Sequence, residues 1–453
     1  MNLNKNEEYI VDIIDNGYEG EGIAKIDNLT IFIPNAIKGE KVKIIIVKVL
    51  SSHAYGKIIE IIETSKRRVP DDCSTYKRCG GCNLRHIEYQ NTLEIKRDIV
   101  KNCIYKSLNK EIVVNETLGM EEPYYYRNKL QFPLGYNKEN KSIMGIYANR
   151  SHEIIPIKDK CYIQNEQTQS IAKDIYEFII NNNISIYNEK ILKGLVRHIV
   201  IKIGIKTNEI MLILVVNKKE LPHEKELINL ITQKYSNIKT IVKNINTKNT
   251  NVILGNTNEI IYGDGYIYDL LGEYRFKISA MSFYQVNPIQ TEKLYKTAVE
   301  YADLKGDEIA FDLYCGIGTI AIFMSKFVKK VYGIETIPQA IEDAKENAVI
   351  NNINNVEFLV GNVEEVLPEL IGKEKIEPDV IFVDPPRKGL DDITINTILK
   401  LKPKKVIYIS CNPATLARDL KKLEELYDIK KVQPVDMFPF SSHIENVCSL
   451  KLK

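Results

Sequence analysis

Residues 308–327, EIAFDLYCGIGTIAIFMSKF, decide the fold. An apolar strand runs to Tyr314 and Cys315, the chain turns on Gly316 and Gly318, and an apolar helix starts at once. Residues without bulk at such a turn let backbone N–H groups approach a ligand at the carboxyl end of a strand. Outward from this turn strands and helices alternate: KVYGIE (330–335), a helix over PQAIEDAKENAVIN (338–351), VEFLVG (356–361), DVIFVDPP (379–386) and KVIYISC (405–411). That alternation over residues 276–453 predicts an α/β, Rossmann-like doubly wound parallel sheet with ligands at its carboxyl strand ends.

The rest of the chain reads differently. Residues 9–62 hold short Ile- and Val-rich runs separated by Gly, Asn and Pro turns, a pattern of about five strands. Closed into an oligonucleotide-binding (OB) type of barrel, they would lose their edges and offer a face to nucleic acid. We expect a barrel at 1–62, a cysteine-bearing segment and a helix (about Glu88 to Leu108) at 63–115, a central α+β domain at 116–275 and the doubly wound domain at 276–453. In the central region LVRHIVIKIG and EIMLILVVN read as strands, and QSIAKDIYEFII and EKELINLITQKY as helices.

A chain of 453 residues with 44% hydrophobic and 27% charged residues is a multidomain globular protein. No apolar run approaches a membrane span, and the acidic start MNLNKNEEYIVDIID lacks the basic and apolar parts of a secretory signal. The expectation is a cytoplasmic monomer with no membrane partner. Net charge is only +2, but residues 41–110 carry 15 Lys and Arg against 7 Asp and Glu. Such a concentration is either a footprint for phosphates or a solvated basic face.

GIGTIA satisfies the G-x-G-x-x-A pattern, so a nicotinamide-binding unit has to be weighed. Glu335 ends the next strand, where a carboxylate can accept hydrogen bonds from ribose hydroxyls, which points to a nucleoside without saying which. Asp384 begins Asp-Pro-Pro at a strand end, a rigid turn at a cofactor rim that nicotinamide enzymes do not need and several methyltransferases have. In enzymes that methylate exocyclic adenine nitrogens an aromatic residue follows the two prolines; here it is Arg387. Cys411 closes the strand KVIYIS where its side chain faces the crevice, as a thiolate nucleophile or as a buried thiol. Glu445, in SSHIENVCSL, is the best-placed general base, with His443 as its competitor. Cys315 and Cys448 read as packing residues. In AMSFYQVNP (280–288), Phe283, Gln285 and Asn287 would share a face if the segment is extended.

Together FYQVN, DLYCGIGTIAIF, DPPRKG, SCNPATLARD and HIEN strongly resemble the RNA uridine 5-methyltransferases, over essentially the whole chain. The resemblance implies that GYEGEGIAKIDNLTIFIPNAIKGEKV (17–42) belongs to a TRAM domain that binds RNA. It also implies that Cys411 adds to carbon 6 of a uracil, that Glu445 removes the carbon 5 proton, and that Gln285, Tyr314, Glu335 and Asp384 contact S-adenosylmethionine. The segment CSTYKRCGGC (73–82) resembles the iron–sulfur segment of the 23S ribosomal RNA branch. The implied ligands of a [4Fe–4S] cluster are Cys73, Cys79, Cys82 and Cys161, with a four-thiolate zinc site as the alternative. The expected partner is RNA, 23S ribosomal RNA ahead of tRNA. Two other readings compete: a radical methylthiotransferase, whose cysteine spacing of three and then two differs from the five and two found here, and a non-catalytic RNA-binding or assembly factor.

Overall fold

The computed structural model describes residues 3–149, 151–157, 159–374 and 376–453. Near the amino end the strand Glu8–Asp12 pairs with Lys41–Val49, bends, and continues as Asp15–Asn16 against Gly22–Ile26. Across the bend Ile14 N donates to Ile23 O at 2.8 Å. The two ends of this six-stranded sheet are thus one bent strand, which closes the sheet into a barrel. Alternate residues such as Ile31, Ile33, Ile44 and Ile46 fill it. Met1 and Asn2 of the expected span 1–62 lie outside the described residues.

The helix Tyr89–Leu108 forms where expected; its Ile95 and Ile99 pack on Leu84 and Ile87 just after the cysteines, and its opposite side reaches the C-terminal sheet. Its Val100 and Ile104 lie in the core of the C-terminal sheet, and residues 113–118 then run along the edge of that sheet. Val432 N donates to Val113 O at 3.1 Å, and Leu118 N to Pro434 O at 2.9 Å. Lys96 of the helix, fully buried, pairs with buried Asp436, whose other oxygen accepts from Tyr89 Oη at 2.7 Å. An ion pair so far from water holds only because each charge has its partner.

A seven-stranded sheet forms the middle of the chain. Its strands Val196–Ile203 and Ile210–Val216 are buried at every position. The helices Glu166–Asn181 and Glu224–Lys234 cover one face, and the hairpin Tyr266–Leu271 with Tyr274–Ser279 covers the other. The same hairpin gives Leu271, Tyr274 and Phe276 to the C-terminal core. A boundary at 275/276 therefore falls inside its second strand.

The C-terminal sheet has seven strands: β1 Ile309–Leu313, β2 Lys330–Glu335, β3 Val356–Val360, β4 Val380–Val383, β5 Lys405–Ser410, β6 Tyr427–Val435 and β7 Glu445–Leu452. Their order is β3-β2-β1-β4-β5-β7-β6, with β7 antiparallel to both neighbours and the first five parallel. The order reverses between β1 and β4, which is where such sheets open a crevice for ligands.

Candidate active site

The first wall of the crevice is the turn after β1. Tyr314 takes a left-handed conformation (φ 73°), as do Gly316 (54°) and Gly318 (79°). A Cβ on Gly318 would meet the Phe358 ring at 2.6 Å, so that position needs glycine on both counts. Glu335, at the end of β2, ties the turn down. One of its oxygens accepts from Gly316 N at 3.2 Å, the other from Thr336 N at 2.7 Å and Ile337 N at 3.1 Å. The Tyr314 hydroxyl lies 3.3 Å from Thr394 Oγ1.

Beneath the turn sits a carboxyl that sequence reading passed over. Asp312, fully buried in β1, accepts from Ala321 N at 2.9 Å with one oxygen, while the other has no partner among the described residues. Its signal was an acid inside an otherwise apolar strand. Burial, with Asp384 nearby, holds it well above the ordinary carboxylate range. Burial lifts Asp384 to about 7. Glu445 also stands well above its ordinary value through burial and then Asp384, with Arg387 opposing. Raised in this way, the three acids favour their neutral forms, and a cation brought among them would favour their ionised forms, whereas an anionic pyrophosphate would oppose ionisation further. The crevice therefore suits the sulfonium of S-adenosylmethionine better than a nicotinamide dinucleotide.

The facing wall carries Cys411. Ser410, the last residue of β5, pairs with Asn446 of β7, and Asn446 Nδ2 donates to Ser410 O at 3.2 Å. Cys411 and Glu445 are the next residues beyond this last pair, and Glu445 is close enough to act on the Cys411 thiol. Cys411 is half-buried and Glu445 is buried. Burial pushes the thiol up to about 12, Glu445 and Asp384 add to this, and Arg387 works against it. Asn412 then caps the helix Pro413–Leu423, accepting from Ala414 N at 3.0 Å and Thr415 N at 3.4 Å. Its Nδ2 donates to Arg387 O at 3.2 Å, which fastens the DPPRKG loop beside the thiol. His443 lies exposed at the rim, edge-on to Phe438.

The segment 280–288 divides the three residues expected on one face. Phe283 is 71% exposed, and the Gln285 carbonyl accepts from Asn128 Nδ2 at 2.9 Å. Asn287 instead is fully buried and caps the helix Pro288–Ala302, giving its Nδ2 to Met437 O at 3.1 Å. The chain leaves the extended path there because Pro288 opens the helix. Cys315 and Cys448 are buried in apolar cores.

Cys73, Cys79, Cys82 and Cys161 line one cavity of about 210 Å³. Among the described residues no three metal-binding side chains converge as the ligands of a single ion would. Arg85 and Arg127 line the same cavity, and Arg85 Nη1 and Arg127 Nε are buried without partners among the described residues. The basic excess of residues 41–110 is partly spent in ion pairs within the molecule, those of Arg68, Arg85 and Lys96 withdrawn from solvent and the others at the surface. Seven of its cations (Lys43, Arg67, Arg68, Arg78, Arg85, Lys96 and Lys110) are in ion pairs, with Arg68 on the buried Glu40. No helix among the described residues is long and apolar enough to cross a membrane.

Comparison with known proteins agrees with this architecture. A family model described as tRNA (uracil-5-)-methyltransferase matches residues 88–453, and a TRAM-domain model matches residues 3–59. An uncharacterized RNA methyltransferase of Clostridium acetobutylicum is 50% identical, covering 99% of this chain and 98% of that protein. One from Staphylococcus aureus is 44% identical, covering 99% of each. The crystal structure of Pyrococcus abyssi tRNA (uracil-54, C5)-methyltransferase in complex with S-adenosyl-L-homocysteine is similar at a TM-score of 0.77 and 26% identity, over 98% of this chain and 100% of that one.

Proposed function

This chain belongs to the tRNA (uracil-5-)-methyltransferase family, and from that premise we propose that it methylates carbon 5 of a uridine in 23S ribosomal RNA through a covalent adduct on Cys411. The observation that supports the mechanism is that the β5–β7 register ends at Ser410 with Asn446, so that Cys411 and Glu445 follow next on the two strands, and Glu445 acts on the Cys411 thiol.

Carbon 5 of uracil is a poor nucleophile. A thiolate that adds at carbon 6 pushes the ring electrons to carbon 5, which then attacks an electrophilic methyl group. Glu445, acting as its carboxylate while positive charge occupies the crevice, next takes the carbon 5 proton; the electron pair re-forms the ring double bond and Cys411 leaves as its thiolate. S-adenosylmethionine supplies the methyl group and brings a positive sulfonium to the crevice. Gln285, Tyr314, Glu335 and Asp384 would hold it. Cys411 rests as a neutral thiol, so its thiolate forms only once positive charge outweighs Glu445 and Asp384. Arg387 and the start of the helix Pro413–Leu423 supply part of that charge. RNA docks on the barrel and the remaining basic surface with its target base splayed into the crevice, since a stacked base hides the reactive edge.

The cluster we assign to this chain is a [4Fe–4S] group held by Cys73, Cys79, Cys82 and Cys161, a reading supported by their lining one cavity. Zinc needs four sulfurs about 2.3 Å from one point, whereas these thiols surround a volume. The Nη1 of Arg85 and the Nε of Arg127, the guanidinium nitrogens without a partner among the described residues, suit a negatively charged group. The methylation chemistry calls for no electron transfer, so the role assigned to the cluster is structural or RNA-contacting. Protein purified without oxygen should be coloured and absorb visible light; a colourless protein with stoichiometric zinc would sink this part.

The cysteine segment supports the ribosomal substrate. A second reading, tRNA, gains from the Pyrococcus enzyme, which is named for tRNA yet matches this chain over 98% of its length. Mapping 5-methyluridine in total RNA from a deletion strain separates them. Loss of a 23S site supports the first reading, loss of a tRNA site the second, and no change in any RNA refutes both.

A further inference from the structure

The Cys411 and Glu445 loops are distant in sequence from the barrel, yet one barrel turn reaches both. Tyr18, in the turn Gly17–Gly20, donates its hydroxyl to Asn412 Oδ1 at 2.9 Å. Asn412 directly follows Cys411 and already caps the next helix and holds the Arg387 carbonyl. At the other end of the turn, Glu19 O accepts from Asn83 Nδ2. The same Nδ2 donates to Ser442 Oγ at 2.9 Å, and Asn83 Oδ1 accepts from Ser442 N at 2.7 Å. Ser442 stands three residues before Glu445. The turn is shaped for this fit: Gly20 has φ 84°, and a Cβ there would meet Leu84 at 2.3 Å.

We propose that the barrel turn Gly17–Gly20, acting through Tyr18 on Asn412 and through Asn83 on Ser442, is a positioning element that fixes the spacing of Cys411 and Glu445. The inference rests on the roles proposed above for those two residues. Asn412 gathers hydrogen bonds from three directions: the helix it caps, the DPPRKG loop and the barrel. Among these, the barrel bond is the one that comes from outside the C-terminal domain. The RNA-binding barrel and the catalytic pair are thereby parts of one rigid arrangement, and RNA that shifts or steadies the barrel acts directly on the nucleophile loop. Tyr18 is 47% exposed, so its ring is not a core element whose loss would unfold the barrel. Burial of the hydroxyl end holds its titration up at about 12, so it remains a donor throughout the working pH range.

The test is Tyr18→Phe, with Asn83→Ala as the second variant, assayed for kcat and KM on RNA, for S-adenosylmethionine affinity and for thermal midpoint. In Tyr18→Phe the loss of one neutral hydrogen bond that aligns the nucleophile should lower kcat about 2- to 12-fold, and Asn83→Ala, which loses its bonds to Glu19 and Ser442, should fall at least as far. KM for RNA, cofactor affinity and thermal midpoint should stay put, and Tyr18→Ala should fall no further in kcat than Tyr18→Phe. An unchanged kcat in Tyr18→Phe, or a loss carried by KM for RNA alone, overturns the proposal and makes Tyr18 an ordinary RNA contact. If the wild-type protein produces no 5-methyluridine, the function proposed above fails instead.

Discussion

Alkylation of Cys411 by iodoacetamide, followed from pH 7 to pH 10.5, reads the electrostatics of the crevice directly. The thiol is pushed from an ordinary value of 9.0 up to about 12. Only the thiolate reacts, so the gap between 12 and 9 leaves Cys411 at pH 8 with roughly a thousandth of the thiolate of a free cysteine. The rate should be slow at neutral pH and still rising at the top of the range. Trypsin isolates the site in VIYISCNPATLAR, residues 406–418, so mass spectrometry separates it from the other seven cysteines. Glu445→Gln removes the second cause of the shift and should speed alkylation above neutral pH, on the order of tenfold for each pH unit recovered. Recovery will be partial, because burial is the larger cause. Arg387→Ala should act in the opposite sense. A wild-type plateau by pH 9, or slower alkylation in Glu445→Gln, would refute the reasoning.

Asp384, held up to about 7 by burial, is neutral below that pH and ionised above it. Affinity for cationic S-adenosylmethionine relative to neutral S-adenosylhomocysteine should therefore rise as pH passes upward through 7, and Asp384→Asn should remove about tenfold of that preference; calorimetry with both ligands checks this. Lys96→Ala leaves Asp436 buried and uncompensated and should cost about 3 to 5 kcal/mol in urea unfolding, most of it recovered in Lys96→Met/Asp436→Asn. Glu445→Gln should accumulate the covalent RNA adduct on denaturing gels, because addition and methyl transfer precede the step it serves. If no adduct builds up, His443 or water is the better base.

Much of this site was legible because a parallel sheet concentrates chemistry at its strand ends, and strand ends can be read from periodicity. Glu335, Asp384 and Cys411 each follow an apolar run, and each lies at the crevice. What escaped depends on contacts between distant segments. The apolar residues of Tyr89–Leu108 do not name the surfaces they will cover, and they pack both beside the cysteine segment and on the C-terminal core. Asn287 looked like a strand residue in phase with Gln285 because its capping of the next helix is a three-dimensional fact. The bond from Tyr18 to Asn412 joins residues 394 apart in sequence, beyond the reach of any local pattern. Counting charges also misled, since Lys96 and Arg68 neutralise buried acids and do not face solvent to meet RNA.

The most direct test of the central claim uses RNA carrying 5-fluorouridine at the target position, incubated with S-adenosylmethionine and then denatured. Fluorine at carbon 5 cannot leave as a proton does, so the reaction should stop after methyl transfer, with RNA plus one methyl group bound to peptide 406–418 through Cys411. The absence of a covalent complex, or a complex that persists in Cys411→Ala, would contradict the account.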